Sequence, residues 1–230
     1  MQVMNTCYIE GAKMKRFVAC MLIFFCACTS QAADLYCSWP SNQTLNSIVP
    51  IESGTNSHAS GVVVSKNLVL TAAHVLEDYS DTYVEVDGEL HSATVLLIDE
   101  AADMAMLSAK TDDLYPIPLG THELSQKQEV WAVGYPLAQA RHTSTGNFNF
   151  RRAEALHTSA GIDSGSSGGG LLSCEKGQFV LAGMLRGYGA QRTDEGLIRL
   201  DDYSVSVAAS DIKIVMRLSQ SMRVGQIDHH

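Results

Sequence analysis

The stretch Ile162-Asp163-Ser164-Gly165-Ser166-Ser167-Gly168-Gly169-Gly170 sets three serines among four glycines. Glycine lets a backbone turn tightly and pass close to a ligand. A hydroxyl beside several converging backbone N–H groups can attack a carbonyl carbon, and the N–H groups can hold the oxyanion that forms. Taken alone, the stretch is equally compatible with a flexible Gly/Ser loop. The rest of the chain has to decide between the two interpretations.

A histidine and an aspartate stand at strand boundaries earlier in the chain. His74 follows the apolar run that ends at Thr71, and Asp103 precedes the apolar run Met104-Ala105-Met106-Leu107. Each residue alone is typical of an ordinary structural position. Together with Ser167 they supply a base, an acid that can orient it and a nucleophile, which is the combination that nucleophilic catalysis needs.

Four motifs in this order resemble those of chymotrypsin-fold serine proteases, and most closely the bacterial trypsin-like and HtrA-type protease domains. The resemblance covers about residues 48–218. The motifs are Ser60-Gly61-Val62-Val63 with Leu70-Thr71-Ala72-Ala73-His74-Val75, then Asp99-Glu100-Ala101-Ala102-Asp103-Met104-Ala105-Met106-Leu107, then Val133-Gly134-Tyr135-Pro136, and finally Ile162-Asp163-Ser164-Gly165-Ser166-Ser167-Gly168-Gly169.

The pattern of short apolar runs and turns predicts an all-β core with one helix at its end. The resemblance implies two six-stranded antiparallel β-barrels, the first over about residues 48–110 and the second over about 128–205. Residues 34–47 are then an N-terminal extension and 219–230 a tail.

Turn residues and periodicity predict several local elements. Lys66-Asn67 and Asp87-Gly88 indicate two β-hairpins. The segment from Gly187 to Glu195 is expected to be an exposed loop. A helix is expected from Ser210, whose hydroxyl can cap its first turn, with Ile212, Val215, Met216 and Leu218 on its apolar face.

The resemblance implies a role for each site residue. Ser167 is the expected nucleophile, His74 the general base and Asp103 the residue that orients His74. The backbone N–H groups of Gly165 and Ser167 are expected to form the oxyanion hole. Ser164 and Asp99 are the competing positions, and their sequence neighbours fit the motifs less well.

The sequence indicates less about substrate specificity. The resemblance implies that Gly161, Leu185, Arg186 and Gly187 bind substrate, and Gly161 stands where proteases that cut after Arg or Lys carry an aspartate. Arg186 either attracts an acidic substrate residue or faces solvent, and Asp163 is an alternative site that would favour basic groups.

Ser166 stands where digestive proteases carry the aspartate that pairs with a new N-terminus. We therefore expect no activation by N-terminal insertion.

The first 33 residues are interpreted as an export signal. Lys13, Lys15 and Arg16 precede the apolar run of residues 17–28, and small residues follow it. Translation from Met14 is an alternative start. A lipoprotein anchored through Cys28 is a rival interpretation of the same segment, against a periplasmic or secreted protein.

Removal of this leader would leave two cysteines, Cys37 and Cys174, which are predicted to form a disulfide in an oxidising compartment.

We expect no metal and no cofactor, since the histidines lack the spacing of metal ligands. A net charge of −9 argues against nucleic acid as a partner. No stable membrane span and no PDZ module are expected, and the sequence does not indicate an oligomeric state.

The sequence thus predicts an exported serine endopeptidase that acts on protein or peptide substrates. Two alternatives share the fold. One is a protease-like binding protein that has lost activity, and the other is an esterase, because the chemistry would be acyl transfer in either enzyme.

Overall fold

The computed structural model describes residues 36–77, 79–194 and 196–227, with the side chains of residues 219–227 left aside. The predicted leader, Cys28 and the cleavage site lie outside the described residues. The described elements are two helices and thirteen strands: α1 (Asn42–Asn46), β1 (Ile48–Ser53), β2 (Ser57–Ser65), β3 (Leu68–Thr71), β4 (Thr82–Val86), β5 (Glu89–Ser92), β6 (Thr94–Asp99), β7 (Met104–Ser108), β8 (Glu129–Gly134), β9 (His142–Arg152), β10 (Ala155–Thr158), β11 (Gly170–Glu175), β12 (Gln178–Thr193), β13 (Gly196–Ala208) and α2 (Ala209–Ile227).

The N-terminal strands form an antiparallel sheet in the order β5-β4-β1-β2-β3-β7-β6. Its edge strands β5 and β6 are consecutive in the chain, with only Ala93 between them, and the Ala93 N–H donates to Thr82 O at 2.8 Å. One continuous bent stretch therefore pairs with β4 by its first half and with β7 by its second half. When this stretch is counted once, the sheet has the six strands that the sequence predicts.

The remaining strands form a closed six-stranded barrel in the order β10-β13-β12-β11-β8-β9. Both sheets are apolar inside because alternate residues of each strand point inward. Ile48, Val62 and Leu107 are fully buried in the first sheet, and Leu171 and Leu185 in the barrel. The predicted all-β fold of two barrels with a C-terminal helix is confirmed.

Two local predictions need correction. The segment after Gly187 is not a loop: β12 continues to Thr193 and pairs with β13, with Gln191 opposite Ile198. This hairpin extends beyond the barrel and both its faces meet water, so that no alternation of apolar and polar residues marks it. The helix begins at Ala209 directly after β13, and Ser210 therefore lies in its first turn rather than at its N-cap.

A disulfide joins Cys37 to Cys174, across 137 residues of chain, as the sequence predicts. Cys174 lies near the end of β11, and Cys37 belongs to the segment before α1. The bond therefore fastens the N-terminal segment to the second barrel. Closing so long a loop restricts the unfolded chain, which stabilises the fold in the chain-entropy model.

The residue after Cys174 anchors the connection between the two sheets. The Glu175 carboxylate accepts hydrogen bonds from the backbone N–H groups of Thr121 and His122, at 2.9 and 3.1 Å, and from the Thr121 hydroxyl at 2.7 Å. Burial alone would raise the pKa of Glu175, but these hydrogen bonds outweigh it and lower the pKa to about 2.

Replacement of Glu175 by Gln is expected to destabilise the fold at neutral pH and to matter less in acid. The lowered pKa means that the carboxylate stabilises the native state above pH 4.5, and that this contribution fades as the pH falls towards 2. At pH 7 the loss should be about 1 kcal/mol, since solvent screens this partly exposed group. Urea unfolding of wild type and E175Q between pH 2 and 7 measures the difference.

The exposed Glu129 on β8 offers the matched control for that series. E129Q should leave the free energy of unfolding close to that of wild type at every pH. A gap between wild type and E175Q that stays constant down to pH 2 would contradict the assigned role of Glu175.

Candidate active site

His74 and Asp103 are brought together by two neighbouring strands. His74 lies on a single 3-10 turn directly after β3, and Asp103 directly precedes β7, which pairs with β3. Asp103 adopts the left-handed backbone conformation, with φ of 54°, and is 6% exposed. Aspartate tolerates this conformation, because its short polar side chain can form local hydrogen bonds.

Asp103 binds His74 through two different groups. The backbone N–H of His74 donates to Asp103 Oδ1 at 3.0 Å, and His74 Nδ1 lies 2.9 Å from both carboxylate oxygens. Burial alone would raise the pKa of Asp103. The hydrogen bonds from His74 and the charge of Arg186 outweigh burial, so that the net pKa lies below its usual range. An ionised Asp103 accepts a hydrogen bond from the Nδ1–H group of His74, which leaves Nε2 without a proton and able to act as a base.

Ser167 reaches the same cleft from the second barrel. It lies in the tight turn of residues 163–169, named here the serine turn, which leads into β11. The cleft has a volume of about 350 Å³, and His74, Ser167, Arg186, Gly187 and Tyr188 are among the residues that line it. The Ser167 hydroxyl donates to the Arg186 carbonyl at 3.2 Å. Within the described residues it makes no hydrogen bond to His74.

Two N–H groups of the serine turn are oriented by their neighbours. Ser164 O accepts from Leu137 N at 2.7 Å, and Ser166 O accepts from Gly169 N at 3.0 Å. The carbonyl and the N–H of a trans peptide point in opposite directions, so the N–H groups of Gly165 and Ser167 point away from these partners. Neither N–H has a hydrogen-bond partner among the residues that the structure describes, which leaves both available to a ligand oxygen.

Ser60 ties the serine turn to the first sheet. Its buried hydroxyl donates to Gly165 O and accepts from Tyr135 N, both at 2.8 Å, and its backbone N–H donates to Ser167 O at 2.9 Å. The turn is thus held by both halves of the molecule. The motif that contains Ser60 is visible in the sequence, but nothing in the sequence assigns its hydroxyl to Gly165.

The residues predicted to bind substrate divide into two groups. Arg186 and Gly187 line the cleft. The Leu185 side chain is fully buried in the barrel core, so that only its backbone faces the serine turn, donating to Gly169 O at 2.8 Å. Gly161 does not line the cleft; a Cβ there would lie 1.9 Å from Asp201 O, and the close approach of β13 explains the glycine.

Two ion pairs at the cleft were not foreseen from the sequence. Arg199 Nη1 lies 2.6 Å from Asp163 Oδ1, which neutralises the carboxylate that the sequence offers as a site for basic groups. Arg186 Nε donates to Asp103 Oδ2 at 3.0 Å, so Arg186 does not simply face solvent. Both pairs join residues far apart in the chain, and no spacing in the sequence indicates them.

The parts of the chain that the structure describes contain no cluster of three or more His, Cys, Asp or Glu side chains able to hold a metal ion. None of the described helices has both the length and the apolar character needed to cross a membrane.

Comparisons with known proteins agree with this geometry. Residues 59–181 match the family model of the trypsin-like peptidase domain. The mitochondrial serine protease HTRA2 of Drosophila virilis is 32% identical over 138 residues, which are 53% of this chain and 33% of that protein. The HTRA2 of Drosophila erecta is 31% identical over the same length. The chain spans about a third of the length of these curated relatives.

Solved structures show the same fold. The serine endoprotease from Yersinia pestis superposes with a TM-score of 0.67 at 21% identity, over 82% of this chain and 69% of that one. The active form of a protease from M. tuberculosis gives a TM-score of 0.62 at 19% identity, over 74% of this chain and 79% of that one. With the family model matching more than half of the residues, the chain belongs to the trypsin-like peptidase domain family.

Proposed function

We propose that the protein is a serine endopeptidase that uses His74, Asp103 and Ser167 as its catalytic triad. The observation that carries this proposal is the carboxylate of Asp103 beneath His74, bound by both the backbone N–H and Nδ1, with the Ser167 hydroxyl in the same cleft. Membership of a peptidase family supports it.

The proposed reaction begins with a rotation of the Ser167 side chain. Its hydroxyl is proposed to exchange the Arg186 carbonyl for His74 Nε2 when substrate binds, since hydrogen bonds at such sites often tighten only in the complex with substrate. Ser167 Oγ then attacks the scissile carbonyl carbon while His74 takes the hydroxyl proton. Asp103 stabilises the imidazolium that results.

The N–H groups of Gly165 and Ser167 are proposed to hold the oxyanion of the tetrahedral intermediate. His74 then gives its proton to the leaving amine, the C–N bond breaks and an acyl-enzyme on Ser167 remains. Water, deprotonated by His74, attacks the ester carbonyl and releases the acid, which restores Ser167.

The substrate is proposed to bind as an extended peptide along β12. The ladder between β12 and β13 is irregular between Leu185 and Gly187, and Gly187 lines the cleft with open space where a Cβ would stand. A peptide can therefore lie close to the backbone there and add itself as a strand. The preference for particular substrate side chains is proposed to depend on the same wall of the cleft. Arg186 there is paired with Asp103, and Asp163 is neutralised by Arg199, so the wall is not the simple charged pocket that either residue alone would form.

We also propose that the protein acts outside the cytoplasm, in the periplasm or beyond the cell. The Cys37–Cys174 disulfide supports this proposal, because such bonds persist in oxidising compartments. The predicted leader is consistent with it. Analysis of the N-terminus and of lipid attachment on protein recovered from the producing cell separates a cleaved signal from a lipoprotein anchored at Cys28.

Labelling with a fluorophosphonate tests the enzymatic proposal, because the probe phosphonylates an activated serine. Wild type should be labelled on Ser167, as located by mass spectrometry, and Ser167→Ala should not be labelled. Ser164→Ala is the matched control in the same turn and should be labelled. Folded wild type that takes up no probe would indicate an inactive binding protein, and labelling without cleavage of any member of a peptide library would indicate an esterase.

A further inference from the structure

Arg186 contacts two of the three residues of the proposed triad, namely Ser167 and Asp103. Its backbone lies at the irregularity between β12 and β13, where Leu185 pairs with Ser206 and Gly187 with Val205 while Arg186 pairs with neither. A bulge of this kind turns a side chain away from its regular direction. Here the Ser167 hydroxyl donates a hydrogen bond to the Arg186 carbonyl, and the Arg186 guanidinium donates one to Asp103.

The charge balance around Asp103 explains why this contact matters. Asp103 is almost fully buried, and a buried carboxylate is costly unless it is paired. In the resting state His74 has to be neutral to act as a base, so it supplies hydrogen bonds but no charge. Arg186 Nε, 3.0 Å from Oδ2, is the positive group in contact with this carboxylate among the described residues.

We infer that Arg186 is a positioning residue for catalysis, which fixes the Asp103 carboxylate under His74 and couples it to the strand that binds substrate. This inference rests on the triad proposed above. Nε–H holds Oδ2, and the His74 backbone N–H holds Oδ1. Because both oxygens are held, the plane of the carboxylate is fixed. The orientation of the imidazole ring that this carboxylate binds is then fixed as well.

The test compares Arg186→Gln with Arg186→Lys, and uses Arg217→Gln as the matched control, because Arg217 is exposed on α2 and does not line the cleft. The readouts are the second-order rate of fluorophosphonate labelling, and kcat and KM for the cleavage of a peptide substrate. R186Q should lose roughly tenfold or more, mainly in kcat, since positioning of the triad acts on the transition state.

R186K should also stay reduced in rate, because lysine keeps the positive charge but lacks the planar Nε–H donor that holds Asp103. R217Q should behave as wild type. A double-mutant cycle gives the decisive control: in an Asp103→Asn background, R186Q should have little further effect on the labelling rate if Arg186 acts through Asp103.

Three outcomes would overturn the inference. They are a R186Q rate within about twofold of that of wild type, an effect on KM alone, and an equal loss in the Asp103→Asn background. In each of these cases wild type is still labelled on Ser167, so the proposed function stands. Folded wild type that is not labelled removes both proposals together.

Discussion

Asp103→Asn should leave the fold intact and lower kcat/KM by about four orders of magnitude, the size of effect that an amide causes in a Ser-His-Asp triad. The substitution keeps the volume and shape of the side chain. It removes the negative charge and replaces one acceptor oxygen with an NH₂ group that only donates.

The expected loss follows from the hydrogen bonds around the carboxylate. Asp103 now accepts from three groups, namely the His74 backbone N–H, His74 Nδ1 and Arg186 Nε. An asparagine cannot accept from all three with one oxygen, so its NH₂ group has to face either His74 or Arg186. Facing Nδ1, it would hold the proton of His74 on Nε2, where the base has to be free.

Asp99→Asn is the matched control, since Asp99 is the aspartate that competes with Asp103 in the same sequence motif. Asp99 Oδ1 accepts from the Ala102 N–H at 3.0 Å, a contact that shapes the turn before β7. D99N should therefore keep kcat/KM within a few-fold of wild type. Steady-state kinetics on both variants, with circular dichroism for the fold, decides the matter. A large loss in D99N with an active D103N would exchange the two roles.

The sequence predicts the parts of this molecule that depend on local pattern. Asp87-Gly88 marks a hairpin because both residues take positive φ, 52° and 82°. Gly165 and Gly168 stand out for the same reason, with φ of 91° and 84°. At such positions the residue type alone predicts the backbone conformation. Because the motifs also occur in the order typical of the family, the fold can be predicted from them.

What the sequence does not predict depends on contacts between distant segments. Arg186 meets Asp103 across 83 residues, and Arg199 meets Asp163 across 36. The sequence predicts an exposed loop from Gly187 to Glu195, because a hairpin with both faces in water shows no alternation of apolar and polar residues. The register shift beside Arg186 belongs to the pairing of β12 with β13, which no single strand encodes.

The serine turn shows how the two kinds of information combine. Its glycines are visible in the sequence, but what fixes them comes from other elements: Ser60 on β2 binds Gly165 O, and Leu137 N binds Ser164 O. A glycine-rich stretch that is flexible in isolation thus becomes a fixed array of N–H groups. This rigidity is what electrostatic stabilisation of an oxyanion requires.

Gly165→Ala should therefore reduce both activity and stability, with the larger free-energy change in activity. A Cβ at this position would lie 2.7 Å from Tyr135 O and 3.0 Å from Leu137 N, and φ of 91° is strained for alanine. To relieve these contacts the peptide has to move, and the Gly165 N–H moves with it. We expect kcat and the labelling rate to fall by about 10²- to 10³-fold, the cost of losing one oxyanion donor, with a loss of roughly 1–3 kcal/mol in unfolding free energy.

Gly88→Ala separates backbone strain from the loss of the N–H. Gly88 has a similar φ of 82°, but no atom lies within 4 Å of the position its Cβ would take. It should cost roughly 1–2 kcal/mol of stability and leave the labelling rate as in wild type. Urea unfolding and labelling kinetics on the three proteins measure both quantities. If G165A matched G88A in both, the Gly165 N–H would have no part in the reaction, and the oxyanion would have to be held by Ser167 N–H and another donor.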